Sequence, residues 1–150
     1  MPTSHRSYAL RSALKADLAF VTALHHDTMR EYIEPVWGWQ QERWDRFVEN
    51  WFDPGRAKII QKDAIDVGIL VTDEQSSLVY LESLSIVRPY QGQGLGTQVI
   101  QDLILAASAQ CLPVVLDVLK TNVRARMLYE RLGFKPCGES ETSDRLKWAP

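Results

Sequence analysis

Apolar residues recur along this chain with two different periods, and the switches between them mark out its elements. Residues 8–13 alternate weakly and predict a first strand. From residue 15 to about residue 30, Leu18, Val21, Leu24 and Thr28 fall on one helical face, with Asp17 placed to cap it and Pro35 and Gly38 breaking the chain beyond. Residues 39–52 predict a second helix with Trp44, Phe47, Val48 and Trp51 on one side, ended by Asp53-Pro54-Gly55. Residues 57–61 and 66–72 read as the second and third strands, 73–77 as a polar turn and 78–87 as a fourth strand. A third helix over 97–109 has Val99, Ile100, Leu103, Ile104 and Ala107 as its apolar stripe, and residues 113–119 form a fifth strand of the buried type. In the fourth helix Asn122 is the cap, and Gly133 sits where a left-handed C-terminal residue is wanted. Phe134 and residues 145–148 predict two last strands around a polar loop over 138–144.

Helix and strand runs are intermixed, with hairpin-length turns around the third and fourth strands. That pattern predicts an α+β or mixed α/β fold with helices on both faces of one sheet. At 150 residues the chain is expected to be a single domain, 1–150, with no internal repeat or linker.

Composition narrows the function classes. Hydrophobic residues at 45% and charged residues at 24% describe an ordinary globular domain. The net charge of −2, with basic residues scattered among acids, argues against a nucleic-acid partner. No apolar run approaches the roughly 20 residues needed to span a bilayer, so no membrane role is expected. Residues 1–11 are polar and contain two arginines and a histidine, unlike an export signal, which predicts a cytoplasmic location. Cys111 and Cys137 then read as free thiols. His25-His26-Asp27 does not read as a metal site, because successive helical residues diverge by about 100°; a solvated face and no metal are expected.

The most informative stretch is Arg88-Pro-Tyr-Gln-Gly-Gln-Gly-Leu-Gly96, a glycine-rich turn between a strand and a helix. Alternate glycines let backbone N–H groups converge without interference from Cβ, and a helix start adds the positive end of its dipole. The turn is therefore expected to grip a phosphate-bearing ligand. It is not a Walker loop, since no lysine follows Gly92, Gly94 or Gly96. It does not match a dinucleotide fingerprint either: the register is Gly92-x-Gly94-x-Gly96 with Thr97 next, even though Asp117 lies about twenty residues on.

Gln91-x-x-Gly94-x-Gly96 resembles the pyrophosphate loop of the GNAT family of N-acetyltransferases, between that family's fourth strand and third helix. A second motif, Asn122-Val-Arg-Ala-Arg-Met-Leu-Tyr129-Glu-Arg-Leu-Gly133-Phe134, is similar to the family's helix with an asparagine at its start, a tyrosine seven residues later and a closing Leu-Gly-Phe. The resemblance covers residues 78–134 well and the first half by architecture. It implies a central, mixed and mostly antiparallel sheet of about seven strands, with the fourth and fifth strands splayed into a cofactor cleft.

The resemblance further implies acetyl-CoA as cosubstrate, with no metal. Backbone N–H groups of Gln91, Gly92, Gln93, Gly94, Leu95, Gly96 and Thr97 would take the pyrophosphate. The strand edge at Leu84, Ser85 and Ile86 would pair with the pantetheine arm as an added strand, and Asn122 would bond it from across the cleft. Seven residues is about two helical turns, so Tyr129 shares a face with Asn122 and is the expected acid for the departing thiolate. A backbone N–H near Ser85 or Ile86 would hold the oxyanion. For the amine's proton the expected base is Glu82, set by period-two alternation on the face of Leu84 and Ile86, although the family's best-known acid position is Tyr80 here and a bulge would change the face. Asp117 is a structural or cleft-lining residue that would at most assist the base.

On the acceptor side, Glu34, Trp37 and Trp39 are expected to bind an amine by ionic or cation–π contact, while Trp44 and Trp51 are read as core. Together these features predict an acetyl-CoA-dependent N-acetyltransferase acting on a primary amine, a small molecule, by direct attack in a ternary complex. The alternatives are acetylation of a protein lysine or N-terminus, or a non-catalytic CoA-binding regulatory module. Dimers are frequent in such families, so a homodimer is among the expectations.

Overall fold

A computed structural model describes residues 7–150; the polar stretch over residues 1–6, part of the segment read above as lacking an export signal, lies outside the described residues. Seven strands form one sheet: β1 (Ala9–Ser12), β2 (Ala57–Lys62), β3 (Ile65–Glu74), β4 (Val79–Ile86), β5 (Val114–Leu119), β6 (Lys135–Glu139) and β7 (Ser143–Trp148). Their order is β1-β2-β3-β4-β5-β7-β6, and every neighbouring pair is antiparallel except β4 with β5. Helices α1 (Leu18–Trp37) and α2 (Gln41–Trp51) cover one face; α3 (Leu95–Ala109) and α4 (Val123–Arg131) cover the other.

Two apolar layers hold this arrangement. Val21 and Leu24 of α1 and Val48 of α2 pack with Ile59, Ile69 and Val71. On the opposite face Val99 and Ile100 of α3 pack with Ile60, Leu81, Leu116 and Leu146. Ile59, Ile60, Ile100, Leu116 and Leu146 are fully enclosed, which is where the hydrophobic driving force concentrates.

Three features depart from the sequence expectations. The first helix does not stop before Pro35 but continues to Trp37. Proline removes a single N–H, and so near the helix end it forfeits one bond; the stop comes from Gly38, whose φ of 70° is the left-handed region and whose N–H donates to Glu34 O. Asp17 does not cap that helix with its side chain. Its carboxylate instead accepts from Leu14 N–H at 2.7 Å and pairs with Arg11 at 2.8 Å. The polar loop expected over 138–144 is largely a hairpin, with β6 running to Glu139 and β7 starting at Ser143.

The opening that positions the site lies in the middle of the sheet. β4 pairs with β5 only at Val79, Tyr80 and Leu81, although β4 continues to Ile86 and β5 to Leu119. Beyond Leu81 the two parallel strands part, leaving one edge of β4 without a strand partner. Across the other edge, β3 runs with β4 as far as Ile86, drawn close by Gly68: a Cβ there would fall 2.5 Å from Ser85 O.

Candidate active site

The glycine turn closes the mouth of this opening. A 3₁₀ turn over Arg88–Tyr90 leads into it, and α3 begins at Leu95 with Gly94 as its N-cap. Gly92 and Gly94 have φ of 72° and 82°, so glycine is required there by backbone conformation. Gly96 needs no such conformation; its open side faces Ile86 Cδ1 at 3.5 Å from where a Cβ would stand. The first bond of the helix runs from Gln98 N–H to Gly94 O, which leaves the N–H groups of Leu95, Gly96 and Thr97 without intrahelical acceptors. Gln91 differs from expectation. Its backbone N–H already donates to Arg88 O, and its side-chain amide donates to Ile86 O at 2.8 Å, so it braces the turn against β4. Gln93 likewise ties back to Pro89 O. Gln91, Gly92, Gly94, Leu95, Gly96 and Thr97, but not Gln93, line a cavity of about 390 Å³, together with Leu84, Ser85, Ile86, Asn122 and Tyr129.

On β4 the direction of each backbone group follows from one bond. Val87 N–H donates to Val67 O of β3. In an antiparallel ladder such bonds alternate, so Ser85 N–H also points at β3, whereas the N–H groups of Leu84 and Ile86 point to the open side. Of the two N–H groups expected near the oxyanion, Ser85 and Ile86, that of Ile86 faces the opening and that of Ser85 does not. From the far wall, Asn122 caps α4 by accepting from Ala125 N–H at 3.2 Å with Oδ1. Tyr129 lies two turns along, in edge contact with Phe134, and burial pushes its phenol up to about 12, so it stays protonated at neutral pH.

A second cavity of about 600 Å³ lies on the α1/α2 side and shares Leu84, Ser85, Asn122, Ala125 and Tyr129 with the first. They also share Met29, so the two spaces adjoin along a wall of six residues that includes Tyr129. Glu82 lines the second cavity, but not by simple alternation: Val71 pairs with Ser83 and Thr72 with Leu81, so Glu82 is the extra residue of a bulge. The period-two argument that sets it on the face of Leu84 and Ile86 fails at that point. One carboxylate oxygen accepts from Arg56 at 2.8 Å; the other, Oε2, is buried with no partner among the described residues. Tyr80 donates to Asp117 at 2.6 Å, and Arg145 grips the same carboxylate through two nitrogens. Arg145 and then Tyr80 hold Asp117 below the usual carboxylate range, while burial and Asp117 push Tyr80 up to about 12. Neither is poised to take a proton from an amine.

Of the acceptor-side residues singled out from sequence, Trp37 lines this cavity. Glu34 is exposed and turned to Arg30 at 3.3 Å, and Trp39 lies outside the cavity, stacked on Trp44 and donating to Gln41. Sequence reading missed His25, Met29 and Phe47, and it assigned Trp44 and Trp51 to packing alone although both also line the cavity. The available signal was the Trp44/Phe47/Trp51 stripe on α2, too rich in rings for one buried seam. The histidines are not a solvated face. His25 packs against Trp44 and Phe47, and His26 bonds Asp45 at 2.6 Å, because α2 lies against that side of α1. Burial and the neighbouring His26 bring His25 down to about 4. Among the described residues no group of three or more His, Cys, Asp or Glu side chains is placed to hold a metal, and no helix is long and apolar enough to cross a membrane.

Comparison with known proteins fits this geometry. Residues 21–134 match the acetyltransferase (GNAT) family. The sequence is 36% identical over 69 residues to a spermine/spermidine N(1)-acetyltransferase of Bacillus subtilis, a match covering 45% of each chain. It is 39% identical over 64 residues to a thialysine N-epsilon-acetyltransferase of Mus musculus, covering 42% of this chain and 38% of that one. The chain thus spans less than half the length of the curated relatives it matches. Among solved structures, PaiA N-acetyltransferase from Thermoplasma acidophilum in complex with coenzyme A superposes with a TM-score of 0.78 at 11% identity, over 96% of this chain and 99% of that one. An acetyltransferase from Thermus thermophilus gives 0.74 at 16% identity over 96% and 97%. At such identities these two likenesses bear on the fold alone.

Proposed function

The chain belongs to the acetyltransferase (GNAT) family, and on that premise we propose that it transfers the acetyl group of acetyl-CoA to a primary amine of a small molecule by direct attack in a ternary complex. The observation that carries the proposal is the meeting of two cavities along a wall that includes Tyr129, one rimmed by unpaired helix-start N–H groups and the other lined by aromatic rings and Glu82. The first suits a pyrophosphate: Gly92, Gly94, Leu95, Gly96 and Thr97 surround it, and the α3 dipole adds positive potential. The unpartnered edge of β4, with Leu84 and Ile86 N–H turned outward, suits the amides of a pantetheine arm. Bound there, acetyl-CoA would supply an activated thioester.

The chain's own groups then divide the work. Nitrogen attack forms the C–N bond as the C–S bond breaks. Ile86 N–H, turned to the open side of β4, would donate to the carbonyl oxygen as charge builds on it. Tyr129 gives its proton to the leaving sulfur, and Glu82, with one buried oxygen unpartnered, receives the proton the amine loses, directly or through water. Glu34 and Trp39 have no place in this scheme; Trp37 remains a proposed acceptor contact. A cavity of about 600 Å³ supports a small-molecule acceptor, being within the range typical of such ligands. The two matched curated relatives are named for small amines. Tyr129→Phe tests the scheme: turnover should fall about 10²- to 10⁴-fold, with acetyl-CoA affinity unchanged by calorimetry. An unaltered rate removes Tyr129 from the chemistry.

A further inference from the structure

The acceptor cavity is chemically lopsided. Three of the chain's five tryptophans line it, Trp37, Trp44 and Trp51, together with Phe47 and Met29. Its acidic lining is poor by contrast. Glu82 and Asp117 are the carboxylates present, and each already faces a guanidinium, Arg56 at 2.8 Å and Arg145 at 2.9 Å. Arg43 also lines the cavity, its guanidinium 5.3 Å from the Trp44 ring centroid. A polyamine entering here would find both carboxylates already paired to arginines and would meet a guanidinium of its own sign, Arg43. Cation–π contact with the indole rings offsets only part of the cost of burying several ammonium groups without counter-charges. An aromatic or bulky apolar body meets what the rings favour, dispersion and stacking, while its single ammonium reaches Glu82.

We infer that the acceptor is a monoamine with one cationic end on an aromatic or large apolar body, and that this site discriminates against polyamines. The inference rests on the acetyl-transfer reading of the same site. It differs from the acceptors in the name of the Bacillus subtilis relative, spermine and spermidine. Specificity is set by α2: Phe47 and Trp44 face the cavity from one side of that helix, and Phe47 is 47% exposed, so truncating it leaves the core in place.

Two readouts test this. The first is binding of 2-phenylethylamine and of spermidine to the full chain, read by quenching or enhancement of the cavity tryptophans. The second is thiol release from acetyl-CoA with each amine and with ethylamine. The expected result is tighter binding of 2-phenylethylamine, with kcat/KM on the order of tenfold to a hundredfold above spermidine. Phe47→Ala should remove most of that advantage while leaving acetyl-CoA affinity unchanged. Spermidine binding as tightly as the aromatic amine overturns the inference, as does a Phe47→Ala variant with unaltered preference. Should no amine be acetylated, the transfer reading fails by itself; the fluorescence titration still decides what the cavity holds, and equal affinities there sink the inference.

Discussion

Glu82 and His25 show how much a single neighbour decides. Glu82→Gln keeps the shape and can still accept from Arg56, so it isolates proton transfer; it should lower kcat/KM about 10²- to 10⁴-fold. A variant that keeps the native kcat/KM dismisses Glu82 as the base. His25 makes a stability prediction. Its folded pKa is depressed to about 4 from 6.5, so the unfolded chain takes up a proton first as pH falls. The contribution is complete above pH 6.5 and is lost on acidification to about 4, a change on the order of 1–3 kcal/mol. The carboxylates of Asp17, Asp66 and Asp117, held low by arginines, lose theirs only below 3.8, which separates the windows. Urea unfolding at pH 7.5 and 4.5 should show the loss in the native protein, and His25→Phe should reduce it. At this scale the sequence was legible where roles follow from local geometry. Asn122 and Tyr129 fall two turns apart on one helix and face one cleft. It was illegible where a distant partner intervenes, because nothing local announces that Arg56 meets Glu82 or that α2 encloses the histidines.

The elements that frame the cleft depend on a few backbone demands. Gly68 on β3 lets β4 approach so closely that a methyl group would lie 2.5 Å from Ser85 O. Gly68→Ala should therefore destabilise the fold by about 1–3 kcal/mol and shift the strand edge that would receive the pantetheine arm. Urea unfolding and calorimetric titration with acetyl-CoA measure the two effects; wild-type values in both would refute this account of β3. Strands and helices were readable from periodicity because each has one face in a layered core, and all seven strands appear near their expected places. The bulge at Glu82 was not, since it arises from a mismatch between two strands' registers. Nor was the extension of α1 past Pro35, where the end is set by Gly38. That extension is what carries Trp37 to the acceptor cavity.

For the molecule as a whole, function follows from an interruption of regular structure. Strands β4 and β5 begin as partners and separate after Leu81 and Leu116, and residues of both strands line the opening where a cavity rimmed by the start of α3 adjoins an aromatic one. The glycine turn and the second motif were visible in the sequence because each is a contiguous run with its own conformational demand. The acceptor cavity was visible only in part, since it is assembled from α1, α2, β4 and β5, which lie far apart in the chain. In the proposed reaction both substrates occupy the joined cavities together, with Tyr129 between them. Initial rates of thiol release, measured while acetyl-CoA and 2-phenylethylamine are both varied, decide this. Intersecting reciprocal plots and no thiol release without amine are expected. Parallel plots, or thiol released from acetyl-CoA alone at the same rate, would contradict it.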